Sequence, residues 1–159
     1  MRRILVPLVG LSALAAAASA SAAPAAPACR PGQLAGRVGG STGAAGTIML
    51  AVVLRNASHA TCTLRGYPAL RLYRPHRWLP THVEHGGLAP LNRKVRTVTL
   101  RPGGRATVLV AYHDVPSGNQ PCTLATTLFV RGVPVSIRAT ACGGRLLEGP
   151  VAAGVIRAP

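Results

Sequence analysis

Residues 47–55 read Thr47-Ile48-Met49-Leu50-Ala51-Val52-Val53-Leu54-Arg55, an unbroken apolar run between a threonine and an arginine. So short a run, rich in β-branched side chains and free of proline and glycine, is the pattern of a central strand covered on both faces. Asn56-Ala57-Ser58-His59 then supplies the turn residues that end it.

Outward from this strand the pattern changes to alternation. Leu70 and Leu72 face one way while Arg71 and Tyr73 face the other, and Ala106, Val108, Val110 and Tyr112 share a face of a later segment. Leu128 and Val130 alternate with Thr127, Phe129 and Arg131, and Val133, Val135, Ile137 and Ala139 alternate with Ser136 and Arg138. A period of two dominates and no helical stripe is sustained. Arg101-Pro102-Gly103-Gly104 reads as a hairpin loop between strands at 95–100 and 105–112, and Gly132 separates two more. Gly36 to Gly46 has too few side chains to pack and reads as a flexible loop. About seven short strands with this punctuation predict an all-β fold, an immunoglobulin-like antiparallel β-sandwich.

The amino terminus has the grammar of an export signal. Arg2 and Arg3 precede an apolar stretch from Ile4 to Ala18, and Ala18-Ser19-Ala20 matches a small-residue cleavage site. The expected organisation is therefore a signal peptide at 1–20, an Ala/Pro-rich disordered tether at 21–28, and one β-sandwich domain at 29–155. Pro7 and the weakly apolar alanines speak against a retained anchor, and the residues before Cys29 lack a lipid-attachment pattern. Export places Cys29, Cys62, Cys122 and Cys142 in an oxidising compartment, where an even set favours disulfides over metal ligands. Three pairings are open. Cys29–Cys62 and Cys122–Cys142 are favoured because each closes a moderate loop within its own half of the chain.

Composition excludes more than it selects. Lys plus Arg number 18 against 3 acids, a net charge of +15 in 159 residues. So few carboxylates make calcium sites and paired-carboxylate hydrolysis poor readings. The absence of any C-x-x-C pair removes zinc knuckles and thioredoxin-like chemistry. Basic residues concentrate in the middle third, and Arg71, Arg74, Arg77, Arg93, Lys94 and Arg96 form a candidate patch for an anionic ligand. An excess of arginine over a single lysine also fits coding bias and a solubility role. Tyr67-Pro68 and Trp78 could form a ligand platform but are expected in core and edge packing, and nucleic-acid binding is disfavoured because only Tyr67, Tyr73, Trp78, Tyr112 and Phe129 could serve as stacking platforms.

Two motifs carry chemistry on paper. Gly39-Gly40-Ser41-Thr42-Gly43 matches a nucleophile elbow, which needs a strand before it, a helix after it and a large α/β sheet. In an all-β chain this size it reads as a Gly-rich loop, and no enzyme is expected. His76, His82 and His85, with Glu84 between them, form the one ligand-like cluster, in a segment from Pro75 to Pro90 expected to be a solvated loop. A small metal-binding protein using that loop is the alternative reading; no cofactor is expected otherwise.

Several strings together resemble a family. Leu54-Arg55-Asn56-Ala57-Ser58, then Thr61-Cys62-Thr63-Leu64-Arg65-Gly66-Tyr67-Pro68, resemble the "L-x-N … C-x-L-x-G-Y-P" signature of the secreted actinobacterial family known as domain of unknown function 4232. Leu100-Arg101-Pro102-Gly103-Gly104-Arg105-Ala106 is similar to its "L-x-P-G-x-x-A" turn, and Cys122 with Cys142-Gly143-Gly144 is similar to its second cysteine pair. The resemblance spans about 29–151. It implies an extracytoplasmic β-sandwich and no established activity or catalytic residues. The combined expectation is a secreted, non-enzymatic binding or interaction module at the cell envelope or outside the cell, its partner an anionic envelope polymer or another secreted protein, with no membrane span in the mature chain.

Overall fold

The computed structural model describes residues 25–158; the expected signal peptide lies outside them, as does the tether up to residue 24. The described chain forms β1 (Leu34–Ala44), β2 (Thr47–Asn56), β3 (Cys62–Arg65), β4 (Leu70–Arg74), β5 (Arg77–Trp78), β6 (His82–His85), β7 (Thr97–Leu100), β8 (Arg105–His113), β9 (Cys122–Val130), β10 (Val133–Cys142), β11 (Arg145–Glu148) and β12 (Ala152–Ala153). The all-β fold with antiparallel sheets is therefore as expected, with one parallel pairing, β6 on β11.

The apolar run lies in β2, flanked by β1 and β8 in a sheet ordered β1-β2-β8-β11-β6, with β12 attached to β8. Burial on both faces follows from two cores. Leu50, Val52, Leu54, Val108 and Val110 point into the main core, while Met49, Ala51, Leu109 and Ala111 point into a smaller one on the opposite side. Leu91 closes that smaller core from the 3₁₀ turn at Ala89–Leu91, and Ile156 and Ala158 pack on it from the C-terminal tail. Thr107 holds the tail down: its hydroxyl donates to the Gly154 carbonyl at 2.8 Å and accepts from the Ile156 N–H at 3.0 Å.

A second sheet, ordered β10-β9-β4-β5, and the separate pair β3-β7 complete the main core. Leu70, Leu72, Leu128, Val130, Val133 and Val135 supply the inward face, as the period of two requires. β9 and β10 form a hairpin across Arg131 and Gly132, both at positive φ, which is the backbone a two-residue turn needs.

Three expectations are corrected. Gly36 to Gly46 is not a loop: most of it is β1, paired with β2 from Leu34↔Asn56 to Ala44↔Thr47. The glycines are there for room, because a Cβ on Gly36 would lie 2.6 Å from Val135 Cγ2 and one on Gly39 would lie 2.6 Å from Val53 Cγ2. Next, Arg101–Gly104 does not close a hairpin. β7 pairs with β3 and β8 pairs with β2, so the turn carries the chain between sheets. Third, the segment from Pro75 to Pro90 contains β5 and β6 rather than being an open loop.

Asn56 explains how that crossing is held. It is fully buried; its amide donates to the Ala60 and Leu100 carbonyls at 2.8 and 2.9 Å, and its oxygen accepts from the Ser58 N–H and hydroxyl. Its backbone meets the turn as well, through Gly103 N–H to the Asn56 carbonyl and Asn56 N–H to the Gly104 carbonyl. One side chain thus ties the end of β2 to the end of β7.

Both favoured disulfides are present, Cys29–Cys62 and Cys122–Cys142. The second joins register partners at the open end of the β9–β10 hairpin. Each contributes ~3 kcal/mol by restricting the unfolded chain. The first fixes an entering segment already laid along β3, where the Thr63 N–H donates to the Pro27 carbonyl. Two such bonds suit an oxidising, extracytoplasmic setting. Among the described residues no helix is long and apolar enough to cross a membrane.

Candidate functional site

The basic residues singled out from sequence fall in two groups. Arg93, Lys94 and Arg96 lie in the exposed strand-free segment that leads into β7. With Thr97 and Val98 they form one side of a groove of about 530 Å³, and residues 150–153 form the other. Two constraints set its shape. The Arg93 guanidinium donates to the Pro90 carbonyl at 3.1 Å, and Ala152 and Ala153 are fixed by pairing with β8 at Thr107 and Ala106. None of the residues lining the groove is acidic. Its field is therefore unopposed at close range, and an anion entering it meets three cations.

Arg71, Arg74 and Arg77 form the other group, on β4 and β5. Arg74 and Arg77 are register partners across the turn at Pro75-His76. The Arg71 guanidinium lies 4.1 Å from the centroid of the Trp78 ring. Trp78 is 44% exposed and packs with Tyr73 and Phe129, an edge-strand position rather than one in the core. Sequence alone carried a usable signal here: Arg71, Tyr73 and Phe129 all sit at outward positions of alternating strands.

The histidines are separated by the fold. His76 occupies the β4–β5 turn, while His82 and His85 sit at opposite ends of β6. A spacing of three on a strand sends side chains to opposite faces. His82 accordingly lies 3.4 Å from Glu84, and His85 lies 3.3 Å from Glu148. Glu84 is engaged by Arg145, whose hydrogen bond holds the carboxyl below its usual pKa. Among the described residues no group of three His, Cys, Asp or Glu side chains is placed to hold a metal ion, so the His76/His82/His85 reading is corrected. Ser41 lies within β1 opposite Leu50, not at a strand-to-helix turn.

Sequence reading passed over Glu148. It is 1% exposed, its Oε2 has no hydrogen-bond partner, and burial pushes its pKa up to about 8. His85 faces its other oxygen, and Tyr67 stacks on His85 with ring centroids 4.0 Å apart. An isolated acid inside the apolar string Leu146-Leu147-Glu148-Gly149-Pro150 was the available clue.

The family model for a domain of unknown function, DUF4232, matches residues 29–151. The chain belongs to this family. No curated protein and no solved structure matches it. The strings that carried the resemblance now have positions: Asn56 ties two sheets, Cys62 closes a disulfide, Gly66 takes φ +76 and accepts from the Val151 N–H, and Tyr67 covers His85. In this DUF4232 member they hold the fold together; the groove and the Trp78 cluster lie outside those strings.

Proposed function

We propose that this chain is a secreted, non-enzymatic binding module that holds an anionic polymer of the cell envelope in the groove beside Arg93, Lys94 and Arg96. The observation that carries the reading is a groove with three exposed cations and no lining acid. The export-type amino terminus and the two disulfides support the location. Long-range attraction would raise the encounter rate, and the residues of 150–153, pinned to β8, would supply a fixed wall. The test is binding of inorganic polyphosphate to the disulfide-bonded chain at increasing salt. Replacing Arg93, Lys94 and Arg96 together by Ala is expected to weaken binding by about tenfold or more and to flatten the salt dependence, with the melting temperature unchanged. Equal affinity in the triple variant defeats the reading.

A further inference from the structure

The outward face of the β10-β9-β4-β5 sheet carries a second feature that the groove does not use. Register places its members side by side: Tyr73 opposite Trp78, and Arg71 opposite Phe129. The three rings pack on one another, with Tyr73–Trp78 at 5.0 Å, Trp78–Phe129 at 4.9 Å and Tyr73–Phe129 at 6.0 Å between centroids. Trp78 keeps 44% of its surface exposed, although burying an indole is among the most favourable uses of a side chain. The Tyr73 hydroxyl accepts the His76 N–H at 3.0 Å, which fixes the turn beside the cluster. Arg71 shares its face and lies over Trp78, Arg74 and Arg77 are exposed at the next register pair along the strands, and β4, β5, β9 and β10 contain no Asp or Glu.

We propose that Trp78, Tyr73 and Phe129, with Arg71, form a stacking site for the sugar rings of an acidic polysaccharide. Aromatic faces are electron-rich and favour the polarised C–H face of a pyranose, while a guanidinium matches a carboxylate with two parallel hydrogen bonds. The Arg71 charge selects an anion, and the rings select a ligand with a flat face. A single-stranded nucleic acid shares both properties but wants successive platforms along a track. Here the rings, inclined to one another by 57–85°, make one compact footprint. This site stands apart from the groove reading and does not rest on it.

Trp78 is the only tryptophan in the sequence, so its emission reports on this surface alone. The disulfide-bonded chain is titrated with polygalacturonate, neutral dextran, polyphosphate and oligo(dT). Polygalacturonate is expected to shift Trp78 emission saturably, and dextran and polyphosphate are not. Tyr73→Ala and Phe129→Ala should each weaken the polygalacturonate response by about fivefold, the size of one lost aromatic contact. Circular dichroism and a thiol count confirm that each variant is folded and oxidised. The Arg93/Lys94/Arg96 triple Ala variant should keep the polygalacturonate response while losing polyphosphate, which separates failure of this site from failure of the groove. The proposal is overturned by a polyphosphate or dextran response equal to that of polygalacturonate, by tighter binding of oligo(dT), by unchanged affinity in both ring variants, or by self-association that quenches Trp78 without ligand.

Discussion

The two sheets treat their outer faces oppositely. On the β1-β2-β8-β11-β6 sheet, Met49, Leu109, Ala111 and Leu147 face away from the main core, yet Leu91 and the tail at Ile156 and Ala158 cover them. On the β10-β9-β4-β5 sheet, Tyr73, Trp78 and Phe129 also face away, and among the described residues no segment is laid over Trp78. The first face is finished by the chain itself; the second is left open, with Arg71 over Trp78. Apolar surface that a chain covers with its own tail serves stability, and aromatic surface left at the solvent beside unopposed charge marks recognition.

Truncation separates these roles most sharply. Leu109→Ala, at a site 3% exposed in the covered core, should cost about 2–4 kcal/mol in denaturant unfolding, from lost transfer energy and the cavity left behind. Phe129→Ala on the open face should cost about 1 kcal/mol or less beyond its partial burial. Equal costs would mean that the open face is structural after all. Asn56→Ala comes next, at about 2 kcal/mol, because the Ala60 and Leu100 carbonyls lose their donor, the second of them in a buried place. Asn56→Asp should be worse than Asn56→Ala, since a carboxylate would face those same two acceptors; urea midpoints of the two variants decide it.

A pH-dependent effect comes from Glu148. Burial raises its pKa from 4.5 to about 8, so the folded chain holds a proton that the unfolded chain releases. The associated stability is fully present below about pH 4.5 and is lost as pH rises toward and through 8, at a slope of at most ~1.4 kcal/mol per pH unit for one proton. His85 is the charged or titratable group that faces it, from β6; Val110 faces it from β8. Glu148→Gln should flatten urea stability between pH 5 and 8. Persistence of the full slope in that variant would move its origin elsewhere. Smallest of all, Arg71→Ala should lower stability by about 0.5–1 kcal/mol, the usual worth of an exposed cation–π contact, while its effect on polygalacturonate binding is the larger one.

Much of this was legible in the sequence, for reasons that differ by element. β2 could be read because a strand buried on both faces has no polar position to confuse it. β4, β9 and β10 could be read because one face is wet and the alternation shows. β1 could not: Gly36 and Gly39 are small so that Val135 and Val53 can approach, and a pattern of absences looks like a loop. The crossing at Arg101–Gly104 looked like a hairpin because turn chemistry is local, whereas β7 chooses β3 through a pairing that no neighbouring residue announces. The basic groove was half legible. Arg93, Lys94 and Arg96 stand together in the chain, but the opposite wall comes from residues 150–153, far along it. The Trp78 cluster was half legible: alternation turned Arg71, Tyr73 and Phe129 outward, but the pairing of β5 on β4 that sets Trp78 beside them left no local trace; the core is filled largely by Leu, Val and Ala, which leaves three rings on the outer face.

The division between a covered face that stabilises and an open face that binds is tested most directly by amide hydrogen exchange of the disulfide-bonded chain with and without polygalacturonate. Added protection is predicted at residues 71–78 and 127–131, with exchange unchanged at residues 88–91 and 154–158. No footprint on β4, β5 and β9, or a footprint centred on the tail and the 3₁₀ turn that cover the smaller core, would contradict it.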